Sequence, residues 1–117
     1  MARNWKPTER ALAKLLGGER VPVSGRGRGW APDIKHPWLG LEVKSRKRLP
    51  IFLADAIDQA EKAADWIRRR GEGERLPVAV IHQDGAHYRN SLIVLRLGDF
   101  IDHFGTGRLP EIQEENQ

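Results

Sequence analysis

The sequence predicts a mixed α/β (α+β) domain, with helices packed against a mixed β-sheet in the element order αβββαββα. Three observations carry this. Leu53, Ile57, Ala60, Ala64 and Ile67 recur at alternating four- and three-residue steps and mark a long amphipathic helix. Short, turn-bounded segments precede it, and two β-branched runs follow. A long helix between the third and fourth strands implies a right-handed crossover and a parallel pair. The first three strands, joined by short turns, are expected to run antiparallel.

Leu12, Leu15 and Leu16 fall at i, i+3 and i+4 and predict a first helix over 8–16, with Pro7 suited to its first turn and Gly17-Gly18 as the stop. Residues 20–23 read as a short strand, which Pro22 places at an edge or ends early. A glycine–arginine loop follows over 24–30. Residues 33–35 read as a second strand, turned at His36-Pro37, and residues 38–44 as a third. The long helix runs from Pro50 to about Arg70, where Arg68, Arg69 and Arg70 complement the helix dipole and Gly71 supplies the end. Residues 77–82 are apolar enough for an interior strand, 83–89 form a turn and 91–96 a further strand. Asp99 is placed to cap a short helix bearing Phe100, Ile101 and Phe104. The acidic tail, 111–117, is expected to fray. No repeat or linker interrupts the chain, so residues 1–117 read as one domain.

Cysteine is absent, which excludes disulfides, thiolate zinc sites and a cysteine nucleophile. No run approaches the roughly 18 apolar residues of a membrane span, and no signal peptide is evident, so the expected location is cytoplasmic. Net charge is +4, but its distribution is more telling: residues 1–50 carry 12 Lys/Arg against 4 Asp/Glu. The first half is therefore the expected phosphate-facing half.

Alternation along the third strand sends Glu42 and Lys44 to one face and Val43 to the core. Glu-x-Lys alone fits an exposed ion pair equally well. Asp33 adds weight, because a hairpin of strands 2 and 3 brings its carboxylate near Glu42. Two carboxylates that close repel unless a cation separates them, and hard oxygen donors without His or Cys suit Mg²⁺, with Mn²⁺ as substitute. His36, His82, His87 and His103 show no metal-ligand spacing.

Pro32-Asp33…Glu42-Val43-Lys44 resembles the signature of the PD-(D/E)XK nuclease superfamily, whose core is restriction-endonuclease-like. The runs Arg20-Val-Pro-Val-Ser24-Gly25, Pro32-Asp33-Ile34 and Leu41-Glu-Val-Lys-Ser-Arg46 are most similar to archaeal-type Holliday junction resolvases, over about residues 8–82. The resemblance implies a metal-dependent endodeoxyribonuclease that cleaves four-way or otherwise branched DNA and leaves a 5′-phosphate. It implies metal ligands in Asp33, Glu42, the Val43 carbonyl and, from the first helix, Glu9. Lys44 would orient water or stabilise charge at phosphorus, Ser24 would contact phosphate, and Gln59 would play an accessory part.

Arg10, Arg20, Arg26, Arg28, Arg46, Lys47 and Arg48 are the expected DNA contacts. The glycine-flanked arginines also suit a flexible surface turn, and Ser24 is a good turn residue in its own right. Trp30 suits stacking on an unpaired base or covering the core equally. Two matched cuts in a two-fold junction by a chain with one site imply a homodimer. The competing readings are a nuclease of the same superfamily acting on nicked, flap or linear DNA, and a non-catalytic basic nucleic-acid-binding module.

Overall fold

The computed structural model describes residues 6–22 and 31–105. Among them are three α-helices and two two-stranded antiparallel sheets, an α+β arrangement. The expectations for Ser24, Arg26, Arg28, Trp30 and the tail 111–117 lie outside the described residues. The chain divides into two compact units, Met1–Ser45 with Phe104–Gln117, and Arg46–His103.

In the first unit, helix α1 (Lys6–Leu16) begins two residues earlier than its apolar spacing suggests, because Pro7 lacks only an N–H that a first turn leaves unbonded anyway. Its end closes through the backbone of two glycines. Gly17 adopts φ 75°, the Gly17 N–H donates to Lys14 O at 3.3 Å, and the Gly18 N–H donates to Ala13 O at 2.8 Å. These are the two bonds of a Schellman motif, which needs a left-handed residue and so favours glycine. Strand β1 (Glu19–Arg20) pairs antiparallel with β2 (Ile34–Lys35), Arg20 opposite Ile34. Helix α1 packs on both strands and buries Ala13 and Leu16, while Ile34 is 0% exposed. A Cβ at Gly18 would lie 2.5 Å from Lys35 O and 2.8 Å from Ile34 Cγ2, so the helix can turn into β1 here only without a side chain.

Residues 38–44, expected as a third strand, make a single antiparallel bridge, Leu41 opposite Ile34. The Asp33 N–H donates to Leu41 O at 3.1 Å, but the next amide along, Val43 N–H, donates to the Asp33 side chain. The described order is therefore αββαββα, and the two sheets among the described residues are antiparallel; the expected mixed central sheet is not among them.

In the second unit, helix α2 (Ile51–Arg69) follows its apolar stripe: Ile57 is buried, and Leu53, Ala60, Ala64 and Ile67 are half-buried. It too closes with a Schellman motif, Gly71 at φ 75° and the Glu72 N–H donating to Ile67 O at 3.2 Å. Arg68 and Arg69 reach back to Asp65, and the Arg70 guanidinium lies 4.5 Å from the centre of the Trp66 ring. Helix α2 packs on strand β3 (Ala79–Ile81), which pairs antiparallel with β4 (Leu92–Val94). The connection ends in a 3₁₀ turn, Tyr88–Asn90. Strand β3 is interior on one face only, since Val80 and its partner Ile93 are both exposed.

Helix α3 (Leu97–Phe104) starts two residues before Asp99, with the Phe100 N–H donating to Arg96 O. Asp99 therefore sits inside the first turn, where its charge suits the dipole, and does not form the cap. Arg96, just before α3, hydrogen-bonds Glu61 of α2 at 3.0 Å, and that bond holds the guanidinium above its ordinary pKa. No helix among the described residues is long and apolar enough to cross a membrane.

The first unit rests on Ile34. Ile34→Ala is expected to lower stability by about 2–5 kcal/mol, and Gly18→Ala by about 1–3 kcal/mol through crowding against backbone. Urea denaturation followed by circular dichroism checks both; an unchanged midpoint for either would contradict this packing.

Candidate active site

Asp33 sits at the junction of three backbone segments. Its carbonyl accepts from Val21 N–H at 3.0 Å, its N–H donates to Leu41 O at 3.1 Å, and its Oδ2 accepts from Val43 N–H at 2.7 Å. The residue is buried, as expected for a carboxylate used as an internal acceptor. Counting outward from the Leu41–Ile34 bridge, Glu42 follows Leu41 and Asp33 precedes Ile34. Glu42 and Lys44 do share a face: Lys44 Nζ lies 3.3 Å from Glu42 Oε2, the two side chains 80% and 60% exposed. Asp33 is thus bonded, through Leu41 O and Val43 N–H, to the segment that carries Glu42, Val43 and Lys44. An exposed ion pair of this kind contributes only about 0–1 kcal/mol to stability.

Glu9 lies on α1 in the same unit. It is buried, and its Oε1 accepts from Arg20 Nε at 2.8 Å. Arg20 is correspondingly taken up inside the unit, not displayed to solvent; its side chain is only 14% exposed. Arg20 Nη2 is buried without a hydrogen-bond partner among the described residues. The Glu9–Arg20 pair ties α1 to β1 and therefore to the strand that flanks Asp33. Among the described residues, no group of three or more His, Cys, Asp or Glu could hold a metal ion. The donors that fit a hard divalent cation are the Asp33 and Glu42 carboxylates with the Val43 carbonyl, all oxygen.

His36, read from sequence only as part of a His-Pro turn, has a larger part. Its Nδ1 accepts from Leu39 N–H at 3.2 Å and Trp38 N–H at 3.3 Å. That assigns the proton to Nε2, which donates to Leu16 O, the last carbonyl of α1, at 3.0 Å. One neutral imidazole therefore clasps the turn between Asp33 and Glu42 to the helix that carries Glu9. No spacing rule reveals this, because the partners are all backbone groups.

The remaining expected residues are exposed. Arg10 lies on the outer face of α1. Arg46, Lys47 and Arg48 form an exposed run before α2, and Gln59 faces solvent on α2, both in the second unit. The chain matches no family model, no curated protein and no solved structure.

Removing Arg20 takes away the counter-charge of a buried carboxylate. Arg20→Ala is expected to cost about 3–5 kcal/mol, and the double change Glu9→Leu/Arg20→Met to recover most of that loss. Denaturation of the three proteins measures the difference; equal loss in single and double variants would show that the pair is not the cause.

Proposed function

We propose that this chain is a metal-dependent endodeoxyribonuclease of the PD-(D/E)XK kind, most like a Holliday junction resolvase, that acts on branched DNA as a homodimer in the cytoplasm. The observation that carries the reading is the pair of bonds from Asp33, backbone to Leu41 and side chain to Val43, which brings it against Glu42-Val43-Lys44. With this reading goes the finer fold, a restriction-endonuclease-like mixed sheet in which residues 38–44 are the third strand.

Asp33, Glu42 and the Val43 carbonyl would hold Mg²⁺, or Mn²⁺ in its place. When bound, that ion supplies Lewis-acid stabilisation of the scissile phosphate. The chain's own groups do the rest. Val43 N–H fixes the Asp33 carboxylate, so its orientation does not depend on a flexible rotamer. The Lys44 ammonium, beside Glu42, would meet the negative charge that builds on the phosphoryl oxygens as water adds to phosphorus and the bond to the departing 3′ oxygen, which takes up a proton, breaks. Glu9, through Arg20, holds α1 on β1 and acts as a positioning residue in this scheme. Exposed Arg46, Lys47 and Arg48 follow the phosphate backbone.

Labelled four-way junction, nicked and linear duplexes, each with Mg²⁺ or with EDTA, test the proposal. Junction cleavage is expected only with metal. Asp33→Asn, Glu42→Gln and Lys44→Ala are each expected to lower its rate by about 10²–10³-fold or more, with junction binding retained. Wild-type rates in any of the three, or cleavage in EDTA, would overturn the assignment. Cleavage confined to nicked or linear DNA would keep the chemistry and change the substrate. Sedimentation of the protein on junction DNA is expected to give a dimer; a monomer there would remove the two-site scheme.

A further inference from the structure

We propose that the tip formed by residues 46–52 is a wedge that enters DNA at an unstacked or kinked step, with Ile51 and Phe52 against bases and Arg46, Lys47 and Arg48 on the flanking phosphates. The nuclease reading enters only through the choice of DNA as partner. Leu49, Ile51 and Phe52 are 61%, 77% and 63% exposed. Single exposed apolar residues are ordinary, but three within four positions, directly after three exposed cations, are not. They are not strays from the core, since the inward stripe of α2 begins at Leu53. Pro50 makes the tip stiff: it caps α2 at φ −54°, and its carbonyl already accepts from Leu53 and Ala54 N–H, both at 3.1 Å.

Size and charge select the occupant. The apolar patch ends within one turn, because the exposed positions that follow on α2 include Asp55, Asp58 and Gln59. Three apolar side chains are far fewer than the roughly 20–30 residues a side of a stable protein interface. An anionic membrane would have to lie along a helix side bearing Asp55 and Asp58, which repel it. A wedge uses only the end of the element. Apolar side chains inserted between base steps, with cations on neighbouring phosphates, are an established physical route to bent or opened DNA. The first turn of α2 has no acidic residue to oppose it.

The test uses the full chain in EDTA with a four-way junction carrying 2-aminopurine next to the branch point. Anisotropy reads binding and 2-aminopurine fluorescence reads unstacking. Wild type is expected to bind and to raise the fluorescence. Phe52→Ala and Ile51→Ala should lose that rise while binding weakens by no more than about threefold, one apolar contact being a small share of a phosphate-dominated affinity. Phe52→Leu should restore part of it. Lys47→Gln and Arg48→Gln should each reduce the salt slope of log K by about 0.9.

An unchanged fluorescence rise in Phe52→Ala overturns the wedge, and junction cleavage in Mg²⁺ then shows the nuclease reading still standing. Absence of both DNA binding and cleavage overturns the two together. Phe52-dependent binding to phosphatidylserine vesicles without a DNA signal, or Phe52-dependent dimerisation in sedimentation, would assign the tip to a membrane or to a second copy and overturn the proposal.

Discussion

A carboxylate oxygen standing where a strand would ordinarily offer a carbonyl organises the region around Asp33. Val43 N–H needs an acceptor, and Asp33 Oδ2 supplies it at 2.7 Å. A hydrogen bond to a charged group is worth about 1.5–3 kcal/mol, more than a neutral one. It therefore orients the side chain and also keeps the peptide bearing Glu42, Val43 and Lys44 next to it. The same substitution of side chain for backbone fits a segment bridged at Leu41 alone.

Around that bond the first unit uses two further devices. The Glu9–Arg20 pair joins α1 to β1, and the His36 ring joins the end of α1 to the turn before Leu41. Both are polar links beside an apolar core that includes, among the described residues, Ala13, Leu16 and Ile34. Directional bonds add to this packing an orientation that apolar contact, having no preferred angle, does not supply. This suits a site whose chemistry depends on where a carboxylate points.

Much of the fold is legible in the sequence because its signals are local. The stripe from Leu53 to Ile67 and the glycines at 17 and 71 place two helices and their ends, and the Schellman bonds at both glycines follow from backbone freedom that only this residue type has at no steric cost. The less legible parts depend on contacts distant in sequence. Ladder continuity through residues 38–44 turns on which acceptor Val43 finds. The role of Glu9 turns on Arg20, eleven residues on, which reads by composition as one more surface cation. Asp99 has the residue type of a cap, but Leu97 and Gly98 extend the turn ahead of it. At the candidate site, the shared face of Glu42 and Lys44 follows from alternation alone, whereas the burial of Asp33 requires knowing its three backbone partners.

The His36 ring has a consequence beyond holding a turn. Its two nitrogens play opposite parts, one receiving amide protons from the turn and the other giving a proton to the helix end. The ring's tautomer is thereby chosen by two separate pieces of chain at once. Nitrogen-15 shifts of this one imidazole would report from a single residue whether helix and turn are still joined, giving a built-in gauge of the scaffold that needs no added label on either side.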